Sequence, residues 1–463
     1  MNFNFNTEKN FLSAELFLFF TYISIISLAL GAFTSITFSS LNHILILISY
    51  LLLTYIYLKG KNRPPENEVF RIIKSTIIKN KSKSLIALCF IILSGTISVL
   101  LNLDLITRPI NHILGLKYFL LAILALCSYS VLFNYKVNYE QENSEYYNED
   151  NDGINKKFFN EKKLKWLIYL FFIATTIASI SGLIALFSGF NPLKMKAACH
   201  PTRTCGLYGM YMTYGYGMQF FCLLLIGFII YKEQIAIFFR SNFNLNISFA
   251  NIKENIFLWS ILIINMIAFI LSFARGALLG FFVALPFMVF GKSKKIFLLL
   301  IIIPIILFLI AYTSSEKVKN LFSEHARIKS NETRVSQIYA AIEVFKEHPF
   351  FGIGYKNFEP YSGEIKERLK LQHPEFVGHA HNNFFEHLAS TGLFGFLALF
   401  LFHIFWFWES IKRRDVIGNI TWPLIIALFI SGQFQYTMGD GENMFLIMNL
   451  WALTQIKKVN NAN

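Results

Sequence analysis

The sequence predicts an all-α polytopic membrane protein of about twelve transmembrane helices with one large, partly helical outer loop. Hydrophobic residues make up 55% of the 463 and charged residues only 15%, where a soluble chain carries about 25%. Apolar runs of about 17–25 residues recur along the whole length, each long enough to cross a bilayer as a helix. One long polar interval, residues 313–384, carries helical patterning of its own. The length therefore implies a single bundle rather than several globular domains.

Taken in order, the apolar runs fall at roughly 11–30, 36–58, 85–101, 116–135, 165–189, 208–231, 255–272, 275–291, 295–312, 385–407, 419–435 and 440–457. The first is too long for a signal-peptide core and no small-residue cleavage site follows it, so it reads as a retained helix. Residues 1–312 then hold spans one to nine, 313–384 form the outer loop, and 385–463 hold spans ten to twelve with a short tail.

Lysine and arginine orient the bundle. Of the 42, 26 lie in the loops and termini of one side. Six lie on the other once the long 313–384 loop, too long for the rule to apply, is set aside. The basic side is cytoplasmic, and so are both termini. The net charge of +14 is thus a topology determinant beside anionic lipid, and nucleic-acid binding is excluded as a reading. Residues 138–163, acidic early and lysine-rich late, read as a cytoplasmic linker.

The outer loop has structure. Val335, Ile338, Ile342 and Phe345 recur at spacings of three and four, which predicts an amphipathic helix from Ser330 to His348. Ser330 or Asn331 is placed to cap it, and Pro349 to end it. "FFGIGYKNF" reads as a glycine-permitted turn, followed by a short charged helix near Glu364–Leu371. Gly352 and Gly354 make no dinucleotide fingerprint, because no strand–turn–helix unit surrounds them.

Cys89, Cys127 and Cys222 fall within spans and read as small apolar packing residues. Cys199 and Cys205 share one outer loop and are expected to form a disulfide there.

Nine of the ten histidines lie outside the spans or at their outer ends; only His403 does not. Arginines at the same face are sharper clues, because a membrane-edge guanidinium is costly without a partner. Arg275, in "SFARGALLG", sits at the outer junction of spans seven and eight among small neighbours that leave room for a ligand. Arg203 lies in the expected disulfide loop. Arg334 is expected to open the outer helix, where its charge would add to the helix N-terminus and favour an anion. Snorkelling or solvated loop charges are the bland alternatives for all three. Together they suit a pyrophosphate, whose oxygens match planar guanidinium donors. No nucleotide-binding GxxxxGK[ST] loop occurs, so a transfer at the outer face must carry its energy in the substrate. A lipid-linked pyrophosphoryl sugar does so.

"HAHNNFFEHLASTGLFG", residues 379–395, places His381-Asn382 nine residues before a GLFG glycine pair. With "SFARGA", "TRVSQIYAAIEVFKEHPFFGIGYKNF", the spans and the large outer loop, this resembles the O-antigen ligase superfamily of membrane glycosyltransferases, of the broad GT-C type. The resemblance covers about residues 195–445 and is strongest from Arg275 through Gly395. It implies periplasmic, metal- and cofactor-independent transfer of a glycan, with inversion, from undecaprenyl pyrophosphate in a bacterial inner membrane. The acceptor it implies is a sugar hydroxyl of lipid A–core oligosaccharide. It implies that His381 is the general base and that Arg275 and Arg334 bind the pyrophosphate, with Arg203 on a less distinctive motif. Asn382 would orient the imidazole or contact sugar. His379 is weakly assigned beside it as a sugar-binding or orienting residue, since His379-x-His381 lacks a third zinc ligand. Gly392 and Gly395, three apart, are expected to let span ten pack closely. His387 and Glu386 read as residues of the helix start, and Asp440 and Glu442 as a turn between the last two spans.

O-antigen polymerases and protein O-oligosaccharyltransferases share scaffold and donor. The short tail after span twelve speaks against the protein-modifying relatives. A lipid-linked oligosaccharide flippase would carry charges deep in its spans and related halves. Here the polar residues collect at one face and no internal repeat is visible, which favours an enzyme.

Overall fold

The computed structural model describes residues 5–31, 36–59, 68–79, 82–135, 160–249, 251–314 and 325–457. Helices occupy every position where an apolar run falls. The first half holds α1 (Phe5–Gly31), α2 (Ile36–Lys59), α3 (Glu68–Lys74, continued by a π turn over Ser75–Lys79) and α4 (Lys83–Leu101). It continues with α5 (Pro109–Gly115), α6 (Lys117–Asn134) and α7 (Glu161–Ser188). A two-residue antiparallel pair follows, β1 (Phe190–Asn191) with β2 (Lys196–Ala197). Then come α8 (Tyr211–Phe243), α9 (Ile252–Ile270), α10 (Arg275–Phe290) and α11 (Lys294–Ser314). The outer region contributes α12 (His325–Glu347) and α13 (Phe358–Arg368). The chain returns through α14 (Asn383–Arg413), α15 (Val416–Ser431) and α16 (Gly441–Gln455). Most of the expected linker, residues 136–159, lies outside the described residues, and Glu161 already begins α7.

Seven helices among the described residues are long and apolar enough to cross a membrane, and three more are apolar but shorter. With almost no sheet, the chain is an all-α membrane protein. Its outward faces agree: Leu51, Phe90, Leu100, Ile263 and Leu298 stand exposed. In water each would forgo roughly 1.5–3 kcal/mol of burial, whereas lipid tails are as apolar as the side chains. Inside, polar side chains stitch helices together. Tyr129 donates to Asn449 at 2.8 Å, Asn265 joins Ser179 and Thr176, and Gln219 donates to Ser431 at 2.8 Å. Asn160, Asn251, Asp415 and Asp440 cap the starts of α7, α9, α15 and α16 with side-chain oxygens.

The outer region has a small core of its own, in which Ala340, Ala341 and Val344 of α12 meet Ile353, Phe358, Ile365, Ala380 and Ala389. Two expectations change here. The helix begins at His325, before Ser330, so Ser330 and Asn331 lie within it and cap nothing. Its buried face is Ser336, Gln337, Ala340, Ala341 and Val344, while Val335 is exposed. Small side chains let α12 lie close over the start of α14, which pushes the bulkier residues to the rim. The second helix spans Phe358–Arg368, earlier than the charge pattern suggested.

The "FFGIG" turn is a docking element. Gly352 and Gly354 have φ of +62° and +109°, in the region that favours glycine. Their amide neighbours bond to an opened stretch of α14: Ile353 N–H to Ala389 O at 3.1 Å and Gly354 N–H to Ser390 O at 3.0 Å. In return, Leu393 N–H donates to Pro349 O at 2.8 Å. The opening is at Gly392, where φ is +63° and ψ −161° inside α14. Gly392 therefore breaks the helix and does not serve a continuous packing face. A Cβ there would collide with the backbone of Phe350. Gly395 has lost that face too, since a Cβ on it would meet Thr391 of the same helix. Ser98 of α4 donates to Ser390 O, and Asn102 to Gly352 O, so the freed backbone groups find partners within the membrane protein.

Candidate active site

The turn after α13 carries His379 and His381, and several side chains anchor its backbone. Lys366, fully buried, donates to the carbonyls of His373 and Phe376. Gln337 of α12 donates to Phe376 O, and Gly378 N–H donates to Ser362 Oγ at 3.0 Å. Glu386, buried one turn into α14, reaches back to accept Ala380 N–H at 2.8 Å. Asn383 N–H donates to Gly432 O, and Asn383 Oδ1 accepts from Met438 N–H, which straps the histidine turn to the α15–α16 connection.

Asn382 is buried and caps α14: its Oδ1 accepts the amides of Phe384 and Phe385, and its Nδ2 donates to Gln433. Its polar atoms are spent on the backbone, so the expected hold on the imidazole is not its own. That hold belongs to Gln435. Gln435 Oε1 lies 3.0 Å from His381 Nδ1, and Gln435 Nε2 lies 3.2 Å from His379 Nε2. An amide oxygen accepts only, so His381 carries its proton on Nδ1 and presents the Nε2 lone pair. In this arrangement the Gln435 amide N–H donates to His379 Nε2. The two imidazoles stand perpendicular, with centroids 4.3 Å apart.

His381 adopts φ +51°, a conformation histidine tolerates better than most residues. Burial, then the neighbouring His379, and less strongly Arg334 and Lys366 hold its pKa down to about 3 against the opposing hydrogen bond to Gln435. Burial holds His379 below its ordinary value as well. The His381 ring is therefore neutral at physiological pH.

The arginines reach this centre unequally. Arg334 sits in the third turn of α12, so the expected reinforcement from a helix N-terminus does not apply to it. Its charge acts on His379, His381 and the hydroxyl of Tyr216. Arg275 takes the helix-start position instead, as the first residue of α10, and its charge acts on the same Tyr216 hydroxyl. Gly276 beside it leaves the space that Tyr216 and Phe434 fill; a Cβ would strike both. Arg203 stacks on Tyr211, with its guanidinium carbon 4.2 Å from the ring centroid, and Tyr211 acts in turn on Tyr216. Tyr216 thus marks where the surroundings of Arg275 and Arg334 meet.

The remaining candidates have structural places. Cys199 and Cys205 are joined as a disulfide with Cα atoms 6.4 Å apart. Asp440 accepts from Thr213 Oγ1 at 2.6 Å and from Asn443, and Lys356 donates to Gly439 O, which makes "GDGEN" a braced turn. Among the described residues no group of three or more His, Cys, Asp or Glu side chains is placed to hold a metal ion.

Gln435 and Glu386 escaped sequence reasoning as site-building residues. The visible signal for Gln435 was the polar run "GQFQYTMGDGEN" at the same membrane face as "HAHN", in which only the carboxylates drew attention.

No curated protein matches the chain. Arg275, Arg334, His379, His381 and Asn382 all fall within residues 260–400, while Arg203 and Gln435 fall outside. Residues 260–400 match the model of the O-antigen ligase family.

Proposed function

We propose that the protein is an O-antigen ligase: an inverting glycosyltransferase of the GT-C type, with about twelve spans in a bacterial inner membrane and its site at the periplasmic face. The donor is a glycan on undecaprenyl pyrophosphate and the acceptor a sugar hydroxyl of lipid A–core oligosaccharide. The observation that carries the reading is the His381–Gln435 pair, a neutral imidazole with its Nε2 lone pair free, beside the arginines around Tyr216. The family match supports ligase- or polymerase-type chemistry.

In this mechanism His381 Nε2 takes the acceptor hydroxyl proton as the oxygen attacks the anomeric carbon. The bond from that carbon to the pyrophosphate oxygen breaks, and the electron pair leaves with undecaprenyl pyrophosphate. Arg275 and Arg334 bear the growing negative charge, which they meet more strongly in the transition state than in the bound donor. Arginine supplies the positive charge, so the reaction needs no metal. Arg203 holds the outer side of the donor.

Reconstitution tests the whole reading: purified protein in liposomes receives lipid-linked glycan with either lipid A–core or a second lipid-linked glycan as acceptor. Transfer to the core is the expected result. Chain growth on the second lipid would make it a polymerase, and movement of the donor without transfer would make it a flippase.

Gln435 acts here as a positioning residue. Gln435→Leu should lower kcat by roughly 10²-fold with little change in KM, the size of effect expected from a misplaced base. Gln435→Glu should keep the Nδ1–H partner and recover part of the rate, while its negative charge raises the pKa of His381. Equal rates for wild type and Gln435→Leu would remove Gln435 from the mechanism.

A further inference from the structure

The loop between α7 and α8 encloses a cavity of about 150 Å³, of whose cations the proposed mechanism uses only Arg203. Lys194, Lys196 and Arg203 line it, with the Cys199–Cys205 disulfide closing one wall. Asn191 is the hub of the opposite wall. Its Oδ1 accepts from Ser181 Oγ at 2.8 Å and Lys194 N–H at 3.0 Å, and its Nδ2 donates to Gly206 O at 2.9 Å. The β1–β2 pair sets Asn191 opposite Lys196. Three cations therefore line one small space whose backbone is held by a disulfide, a strand pair and a buried amide, with the Lys194 and Lys196 side chains exposed.

Their charges repel. Burial and the charge of Lys196 hold Lys194 below its ordinary pKa, and Glu442 is the carboxylate that acts against this. Lys194 Nζ has one hydrogen bond, to Tyr208 O at 3.3 Å, and so retains donors for a ligand. A pocket whose backbone is already held by a disulfide and a strand pair leaves only the lysine side chains to order when an anion enters it.

We infer that this cavity is an anion subsite, taking a carboxylate or phosphate substituent carried on a glycan substrate. Arg203 is shared between the cavity and Tyr211, which puts the subsite next to the pyrophosphate region and makes it a selector for acidic glycans. The inference rests on the glycosyltransferase reading for its choice of ligand.

The test separates the two. Full-length protein in detergent is titrated calorimetrically with a glucuronate-bearing trisaccharide, the matching neutral trisaccharide and glucose 6-phosphate. Wild type should bind the charged probes at least tenfold more tightly than the neutral one. A Lys194→Ala/Lys196→Ala variant should lose that preference, as should the single Lys196→Glu. The probe that binds more tightly assigns the source as uronate or phosphate. Equal binding of charged and neutral sugars, or a preference unchanged in both variants, overturns the subsite. In the transfer assay, the ratio of kcat/KM for acidic over neutral donor glycans should fall about tenfold in the double variant. A wild type that binds acidic sugar selectively yet transfers nothing would sink the ligase reading and leave the subsite standing.

Discussion

His381→Ala lowers glycan transfer by about 10²–10⁴-fold, the usual contribution of a positioned general base. Donor binding should stay, because in the proposed mechanism the pyrophosphate is held by arginines on α10 and α12, and lipid-linked glycan should accumulate in cells. The alanine also removes a side chain from a left-handed backbone position and from its bond to Gln435, so a structural loss has to be separated from a chemical one. His381→Asn does this. Asparagine tolerates the same conformation and offers an amide to Gln435, but has no basic nitrogen. Both variants should remain in the membrane at normal abundance and fail in a single-turnover assay with labelled donor. Normal O-antigen capping by either would end the assignment of His381 as base. The wild-type rate should also lack an acid limb near pH 6.5, because burial, His379 and Arg334 hold His381 to about 3.

The bundle was legible because bilayer thickness imposes one length on every spanning helix, and apolar runs of that length leave little choice of fold. His381, Arg275 and Arg334 stood out as candidates because polar residues at a membrane edge are few. What failed were inferences that needed a helix boundary or a break. Nothing around Ser330 stops a helix; Ala326, Arg327 and Lys329 are all good formers, so α12 extends upstream and leaves Arg334 in its middle. A glycine pair at spacing three is equally a packing face or a weak point, and only the arrival of the "FFGIG" turn decides for the break at Gly392. Gln435 was invisible for another reason. It lies 54 residues from His381 and meets it only because Asn383 straps the α14 start to the turn after α15.

These corrections redistribute the work of the arginines. Arg275, at the first position of α10, gains the helix-start field that sequence reasoning had given to Arg334. It is therefore the better placed of the two to hold a fixed anion. Arg334, half-buried within α12, acts on the histidines as well as Tyr216, and in the proposed mechanism it has two effects. It stabilises the leaving pyrophosphate, and it adds to the burial and the His379 charge that oppose the imidazolium.

Arg334→Ala should show both effects. Loss of a preorganised donor to the leaving group lowers kcat by about 10²–10³-fold. Removing the positive charge also lets the His381 pKa rise somewhat above about 3, while burial and His379 continue to hold it below the ordinary histidine value. The base works only when neutral, so its active fraction falls as pH drops through that pKa. A higher pKa therefore moves the acid limb of kcat/KM upward, into a range where wild type is flat. Arg275→Ala should lose rate on a similar scale while shifting the limb less, since its place is at the Tyr216 side of the cluster. Arg334→Lys keeps the charge without the planar fork; it should hold the limb near its wild-type position and recover only part of the rate. Matched pH profiles for the three variants decide the point. Identical profile shifts in Arg334→Ala and Arg334→Lys would show that charge at this position does not set the state of His381, and would leave Arg334 as a pyrophosphate ligand alone.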